Sequence, residues 1–304
     1  MSFSRASADA TGTAKLLVVL LAFAWGFNWL ATPFALPEIP PWSLRFAGSG
    51  LGAITLITAA LVTGRSLKVP RGEYVHVMVA GLLNVAGFQI LSALAQMHGA
   101  TSRAIIIAYS MPIWAALLSW VMLGERLNRT RLIALALCVA GITILVWPLL
   151  AAGAPAFVLY SLACAWAWAL ATVYQKWMKV TCPPLANAAW QLVFGFAFIA
   201  AGTFALEGYP HLWPLHAQAL MAVVYIGIFG VGLAHFLWWS IVGRLPATTA
   251  SIGALLVPVV GVVGSTIFLG ERPTPSDIIG FVLIFVAAAC VLLQPSAKPA
   301  EMPE

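Results

Sequence analysis

The sequence predicts an all-α integral membrane protein of ten transmembrane helices, built as two inverted five-helix repeats. Three observations carry that prediction. Only 8% of the 304 residues are charged and 62% are hydrophobic, against roughly 25% charged in a soluble domain, so lipid is the expected solvent. The apolar residues fall into ten runs of about 20, the length that crosses a bilayer core as a helix. Leu-Gly-Glu-Arg occurs twice, at Leu123–Arg126 and Leu269–Arg272, each time closing an apolar run that contains a proline.

The runs read in order as follows. Lys15–Leu36 is too long for a signal-peptide core and nine more follow it, so it is a retained span. Pro37, Pro40 and Pro41 separate it from Trp42–Thr63, and the stretch from Gly64 to Gly72 separates that from Glu73–Gln96. Thr101–Met122 and Arg129–Leu149 complete a first half. Pro155–Met178 opens the second, Pro183 and Pro184 break the chain before Pro184–Leu206, and Gly208 to Pro214 break it before Ala217–Val242. Ala247–Leu269 and Pro275–Gln294 follow. Each run is expected to be helical, because hydrocarbon cannot satisfy bare backbone polar groups. The organisation is thus a tail at 1–14, a first repeat at 15–150, a second repeat at 151–294 and a Pro- and Ala-rich tail at 295–304.

A shift of 146 positions relates the halves: it carries the first Leu-Gly-Glu-Arg onto the second, Pro112 onto Pro258, Gly81 onto Gly227 and Gln89 onto His235. Five spans per half is an odd number, so the second copy must run the opposite way through the membrane. With ten spans, both termini share a side. That side collects Arg5, Lys15, Arg65, Lys68, Arg71, Arg126, Arg129, Arg131, Lys176, Lys179, Arg244 and Lys298, and the other holds only Arg45, Arg103 and Arg272. The excess of basic residues makes the shared side cytoplasmic. Inverted repeats recur in secondary transporters, which hold substrate near the midplane between halves. A duplicated scaffold without transport is the other use of such a plan.

Several function classes lack their residues. The net charge of +6 sits in loops, so it reports topology rather than nucleic acid. Four cysteines occur without C-x-x-C spacing, no H-E-x-x-H is present, and no phosphate-binding G-x-x-x-x-G-K-[ST] occurs, so no metal, cofactor or nucleotide motor is expected. The expected partners are a small-molecule substrate and lipid; the oligomeric state is left open.

Four spans carry polar or aromatic faces. Trp25, Asn28, Trp29 and Thr32 follow i, i+3, i+4, i+7 in span one and share a face. Gln89, Ser92 and Gln96 do so in span three, Trp168, Thr172 and Gln175 in span six, and His235, Trp238 and Trp239 in span eight. Amides, hydroxyls and indoles together suit a small organic molecule with a ring and a polar end. The same residues also serve as interhelical hydrogen bonds or, for Trp42, Trp147, Trp177 and Trp213 near span ends, as interfacial anchors. Tyr109 lies one turn before Pro112, where the proline loosens the backbone; Pro112 and Pro258 are the expected hinges. His235 is a titratable residue well inside a span, a costly placement that marks substrate or proton binding. No Asp or Glu lies deep in a span, so facilitated passage or exchange is expected. Arg45, Arg103 and Lys176 lie toward span ends, so a polyphosphate substrate is disfavoured.

Ten spans, two inverted copies and a Pro-containing span ended by Leu-Gly-Glu-Arg resemble the EamA-type drug/metabolite transporters over nearly the whole chain, Leu16 to Leu293. Within that superfamily the Trp-rich faces around Trp25, Trp168 and Trp238 are similar to those of YddG-type exporters of aromatic amino acids. The resemblance implies export of amino acids and other metabolites through a cavity between the halves, with spans five and ten at the periphery. The expected protein is then a non-enzymatic inner-membrane exporter of aromatic and hydrophobic amino acids, with Trp25, Asn28, Trp29, Gln89, Gln96, Tyr109, Trp168, Gln175, His235 and Trp238 around its substrate. Export of other drugs or metabolites is the alternative. A serine hydrolase using Ser49 or Ser265 beside His235 is a remote one. The halves differ: Ala247 stands at the position of Thr101 and Leu255 at that of Tyr109, which makes the expected cavity asymmetric.

Overall fold

The computed structural model describes residues 2–124, 128–153, 155–242 and 256–292. Expectations placed on Glu125, Arg126, Ala247, Leu255, the Trp239 side chain and the tail 295–304 lie outside the described residues or side chains. Among the described residues there are no strands. Ten helices follow in order: α1 Ser2–Ala35, α2 Pro41–Val62, α3 Tyr74–His98, α4 Thr101–Leu123, α5 Arg129–Ala151, α6 Pro155–Trp177, α7 Pro184–Leu206, α8 over 217–242, α9 Leu256–Phe268 and α10 Pro275–Leu292. The first eight contain stretches long and apolar enough to cross a membrane, and the described parts of α9 and α10 are shorter apolar helices. Large apolar side chains such as Leu61, Val62, Trp147, Leu159 and Ile267 face outward. An apolar belt of this kind is compatible with lipid and not with water.

The inversion is visible at a single contact. Glu271, just past the carboxyl end of α9, accepts hydrogen bonds from the backbone N–H groups of Thr101 (2.6 Å) and Ser102 (2.9 Å), which open α4. Helices α4 and α9 occupy equivalent places in the repeat, yet the start of one meets the end of the other. Glu207, at the end of α7, likewise accepts from Trp42 N (2.9 Å) and Ser43 N (2.7 Å) at the start of its equivalent, α2. Helix pairings obey the same twofold relation. Helix α1 lies on α9 as α6 lies on α4, α2 lies on α8 as α7 lies on α3, and α5 lies mainly on α10 at the periphery.

The repeated tetrapeptide now has a physical meaning. Gly124 and Gly270 adopt φ of +67° and +66°, the left-handed conformation that ends a helix and that glycine enters without strain. In the second copy the following carboxylate then satisfies orphan N–H groups of a helix from the other half. Buried apolar residues gather in two main places. One surrounds Ile105, Ile107, Leu145, Phe157 and Ile284, and the other surrounds Leu44, Leu56, Val85, Leu192 and Ile226.

Two spans depart from continuous α-helix at matching places. Leu82–Gly87 in α3 and Tyr225–Leu233 in α8 are π-helical, and the shift of 146 superimposes 82–87 on 228–233. Each π stretch lies against a helix with small and large residues interlocked. Gly48 faces Ile226 and Gly227 faces Leu51 across α2 and α8, while Gly195 faces Val85 across α7 and α3. A third departure is the break in α4 at Tyr109 and Ser110, just before Met111 and Pro112. Proline has no N–H to offer and its ring displaces the preceding carbonyls. Ser110 donates to the Ile107 carbonyl through both its backbone N–H (3.1 Å) and its Oγ (2.6 Å), and Oγ accepts in turn from the Trp114 indole (2.9 Å).

Candidate functional site

The aromatic residues singled out from three different spans converge. Trp25 of α1 meets Trp168 of α6 edge to face (centroids 6.0 Å apart), His235 of α8 edge to face (6.2 Å) and Trp238 of α8 at a tilt (5.7 Å). The row continues through Phe88 of α3, which lies 5.2 Å from Trp168 and 6.1 Å from Trp29. Trp29 is buried in the apolar cluster against which Tyr109, at the break in α4, packs. Trp25, Trp168, His235 and Trp238 are only half-buried: they cover one another and leave ring surface free. His235 Nδ1 lies 2.7 Å from the Val231 carbonyl, one turn back. A carbonyl only accepts, so Nδ1 carries the proton and Nε2 of the neutral ring is left as an acceptor. This assembly offers ring edges and faces together with one imidazole acceptor.

The amides do not join it. Gln89 is buried and accepts from Ser49 Oγ of α2 (3.0 Å), an interhelical bond of the kind such residues commonly make. Gln175 accepts from Asn187 Nδ2 (2.7 Å), Asn187 accepts from Gln191 (2.9 Å), and Gln191 accepts from Asn84 Nδ2 (3.2 Å). Gln175 therefore ends a ladder of amides linking α6, α7 and the π stretch of α3, apart from the aromatic row. Asn28 presses against Gly230 of α8, and its buried Oδ1 has no partner. Gln96 donates weakly to the Ser92 carbonyl (3.3 Å), and its Oε1 is buried without a partner. Pro258 is buried in α9; the residues before Leu256 are not described.

Neither serine of the hydrolase alternative engages His235. Ser49 donates to Gln89, and Ser265 donates to the Val262 carbonyl of its own helix (2.9 Å).

Three placements were not legible in the sequence. Phe88 joins the aromatic row, although its neighbours in span three gave no aromatic pattern. Arg103, set near a span end, forms a two-pronged pair with Asp277 of α10 (2.7 and 2.9 Å). Arg45, also read as a span-end residue, is only 2% exposed. It lies five residues inside α2, where α1 and α3 close over it. At the two faces of the bundle, further bonds join the halves. Glu38 meets His216 N (2.9 Å) on one, and Glu73 accepts from Thr181 and Cys182 on the other. The Thr181 hydroxyl and the two backbone N–H groups hold the Glu73 carboxyl below its ordinary value.

Two inverted bundles joined at both faces, with an aromatic row running between α1, α3, α6 and α8, define a multi-pass membrane transporter. The EamA-like transporter family matches at residues 12–147 and again at 156–293, and the chain belongs to that family. It is 28% identical over 293 residues to the uncharacterized transporter YvbV of Bacillus subtilis, covering 94% of this chain and 93% of that one. It is 24% identical to a probable amino-acid metabolite efflux pump of Salmonella typhimurium, with 88% and 91% covered. It is 29% identical to the aromatic amino acid exporter YddG of Ancylobacter novellus, with 77% and 79% covered. A solved crystal structure superimposes with a TM-score of 0.66 at 25% identity, covering 92% of this chain and 96% of that one.

Proposed function

We propose that this transporter exports aromatic and other hydrophobic amino acids, with related small metabolites, by alternating access and without ATP. The observation that supports this reading is the convergence of Trp25, Trp168, His235 and Trp238 from α1, α6 and α8. Indole and phenyl rings in edge-to-face contact contribute about 0.5–1.5 kcal/mol per pair, so a substrate ring that replaces one of these contacts is bound at little cost. The similarity to a probable amino-acid metabolite efflux pump of Salmonella typhimurium and to the aromatic amino acid exporter YddG of Ancylobacter novellus supports the same substrate class. The face bearing Arg65, Lys68, Arg71, Arg129, Lys176 and Lys179 is the cytoplasmic one under the positive-inside rule, with both termini on it, in the bacterial inner membrane.

The test is flux. Purified protein in proteoliposomes loaded with labelled phenylalanine or tryptophan is expected to release label faster than empty-vesicle controls, with no ATP present. Flux equal to controls for every amino acid would remove the reading. If aromatic amino acids move slowly and unrelated hydrophobic solutes outcompete them, the alternative of a broader metabolite or drug exporter takes its place.

A further inference from the structure

We propose that Arg45 is the residue that recognises the carboxylate of the transported molecule, and so restricts the cargo to organic acids and zwitterions. The inference deepens the proposed function and rests on it for the direction in which Arg45 acts.

A guanidinium in an apolar interior is costly unless it is paired. Arg45 is 2% exposed and its hydrogen bonds are poor. Both run from Nη2, to Thr32 Oγ1 of α1 at 3.3 Å and to Ser92 Oγ of α3 at 3.4 Å, well beyond the usual 2.9–3.0 Å. Its Nε is buried and has no partner. Among the described side chains the carboxylates are committed elsewhere. Glu38 is with His216, Glu73 with Thr181, Glu207 with the start of α2, Glu271 with the start of α4, and Asp277 with Arg103. The group is thus a buried cation whose Nε and fork geometry are unused, the arrangement that a carboxylate completes with two parallel bonds.

The surroundings match the rest of an amino acid. One turn from Thr32 on the same face of α1 is Asn28, whose Oδ1 is a buried acceptor without a donor. An ammonium supplies the donor that this oxygen lacks. One turn from Ser92 on α3 is Phe88, in contact with Trp168 and Trp29. A helical turn rises about 5.4 Å, so the guanidinium and the aromatic row are spaced for the two ends of a phenylalanine-sized molecule. A purely structural Arg45, tying α1, α2 and α3 together, would have no use for a free Nε or for an orphan acceptor on the flanking turn of α1.

The experiment compares Arg45→Gln and Arg45→Lys with the full-length parent, in proteoliposomes and in detergent. Each protein receives phenylalanine, phenylacetate and phenylalaninamide, which share the ring and differ in the carboxylate and ammonium. Transport and ligand-induced thermal stabilisation are both read. The parent is expected to favour the two carboxylates over the amide. In Arg45→Gln that ratio is expected to fall at least tenfold, and in Arg45→Lys, which keeps the charge and loses the fork, by a smaller factor. If Arg45→Gln does not fold, the Arg45→Lys ratio decides. A parent without carboxylate preference, an unchanged ratio in the variants, or a parallel loss for all three ligands would overturn the proposal. The amino-acid reading fails separately, on absent phenylalanine flux in the parent, and stabilisation by phenylacetate still reads Arg45 in that case.

Discussion

Trp168 touches both Trp25 and Phe88, so it joins the two ends of the aromatic row. At about 1 kcal/mol per ring contact, Trp168→Ala is expected to weaken an aromatic substrate's binding roughly fivefold. The loss for leucine should be smaller, because an aliphatic side chain gains less from the ring edges. Concentration-dependent uptake into proteoliposomes measures both, and equal losses for phenylalanine and leucine would place Trp168 in the scaffold. Residue identity was readable for Trp25, Trp168, His235 and Trp238 because helical periodicity put each on a marked face. It was not readable for Gln175, Gln89 or Arg45. The same amide on the same kind of face binds a neighbour or faces a lumen according to what stands opposite, and nothing local to the residue records that. Arg45 does stand near the start of α2, and only its burial was not readable. Counting residues from Pro41 puts it near a membrane surface, whereas the burial comes from α1 and α3 closing over it.

Helices meet their neighbours through their ends as well as their faces. Glu271 caps α4 from the opposite half through Thr101 N and Ser102 N, and caps of this sort contribute about 0.5–2 kcal/mol. Glu271→Ala is therefore expected to lower the thermal midpoint of the purified protein by a few degrees, and Glu271→Gln to recover part of that loss by accepting one bond without the charge. A midpoint identical to the parent's in Glu271→Ala would show that the contact contributes nothing. Most helix boundaries lie within a residue or two of the apolar runs, as for Pro184–Leu206 and Thr101–Leu123, because Pro, Gly and charged clusters interrupt those runs; α1 is the exception, starting at Ser2 instead of Lys15, because the polar residues before Lys15 include no helix breaker other than Gly12. The π stretches of α3 and α8 were not. Their sequences, Leu82–Gly87 and Tyr225–Leu233, are as apolar as any α-helical span. No residue type demands an i to i+5 bond; the wider turn persists where glycines and a close neighbour accommodate it. Such stretches cluster at functional sites, and here each ends just before Gln89 or His235, the pair that the repeat makes equivalent.

For the molecule as a whole, the repeat relation turns into a statement about sides. Leu127 and Pro273 follow the two copies of the tetrapeptide and should face opposite compartments. In a background freed of Cys138, Cys164, Cys182 and Cys290, a membrane-impermeant maleimide added to intact cells is expected to label Pro273→Cys and to reach Leu127→Cys only after permeabilisation. Reaction of both from outside would break the inverted plan. The twofold pairing of α1 with α9, α6 with α4, α2 with α8 and α7 with α3 places each half's helices against the other's rather than among their own. Trp25, Arg45 and Trp168 each stand on a helix in contact with the opposite half.

By itself the sequence determined the medium, the number of crossings and the duplication. These follow from composition, from run length against bilayer thickness and from identities at a constant spacing of 146, all of which are one-dimensional quantities. Tertiary structure alone decided which polar groups are spent on the scaffold and which are left free. It set the amides of Gln89 and Gln175 to bonding neighbours, gathered four aromatic residues from three helices, and enclosed Arg45 with no carboxylate opposite among the described side chains. Whether a side chain is satisfied depends on groups that lie far away in sequence, and only packing brings those within hydrogen-bonding reach.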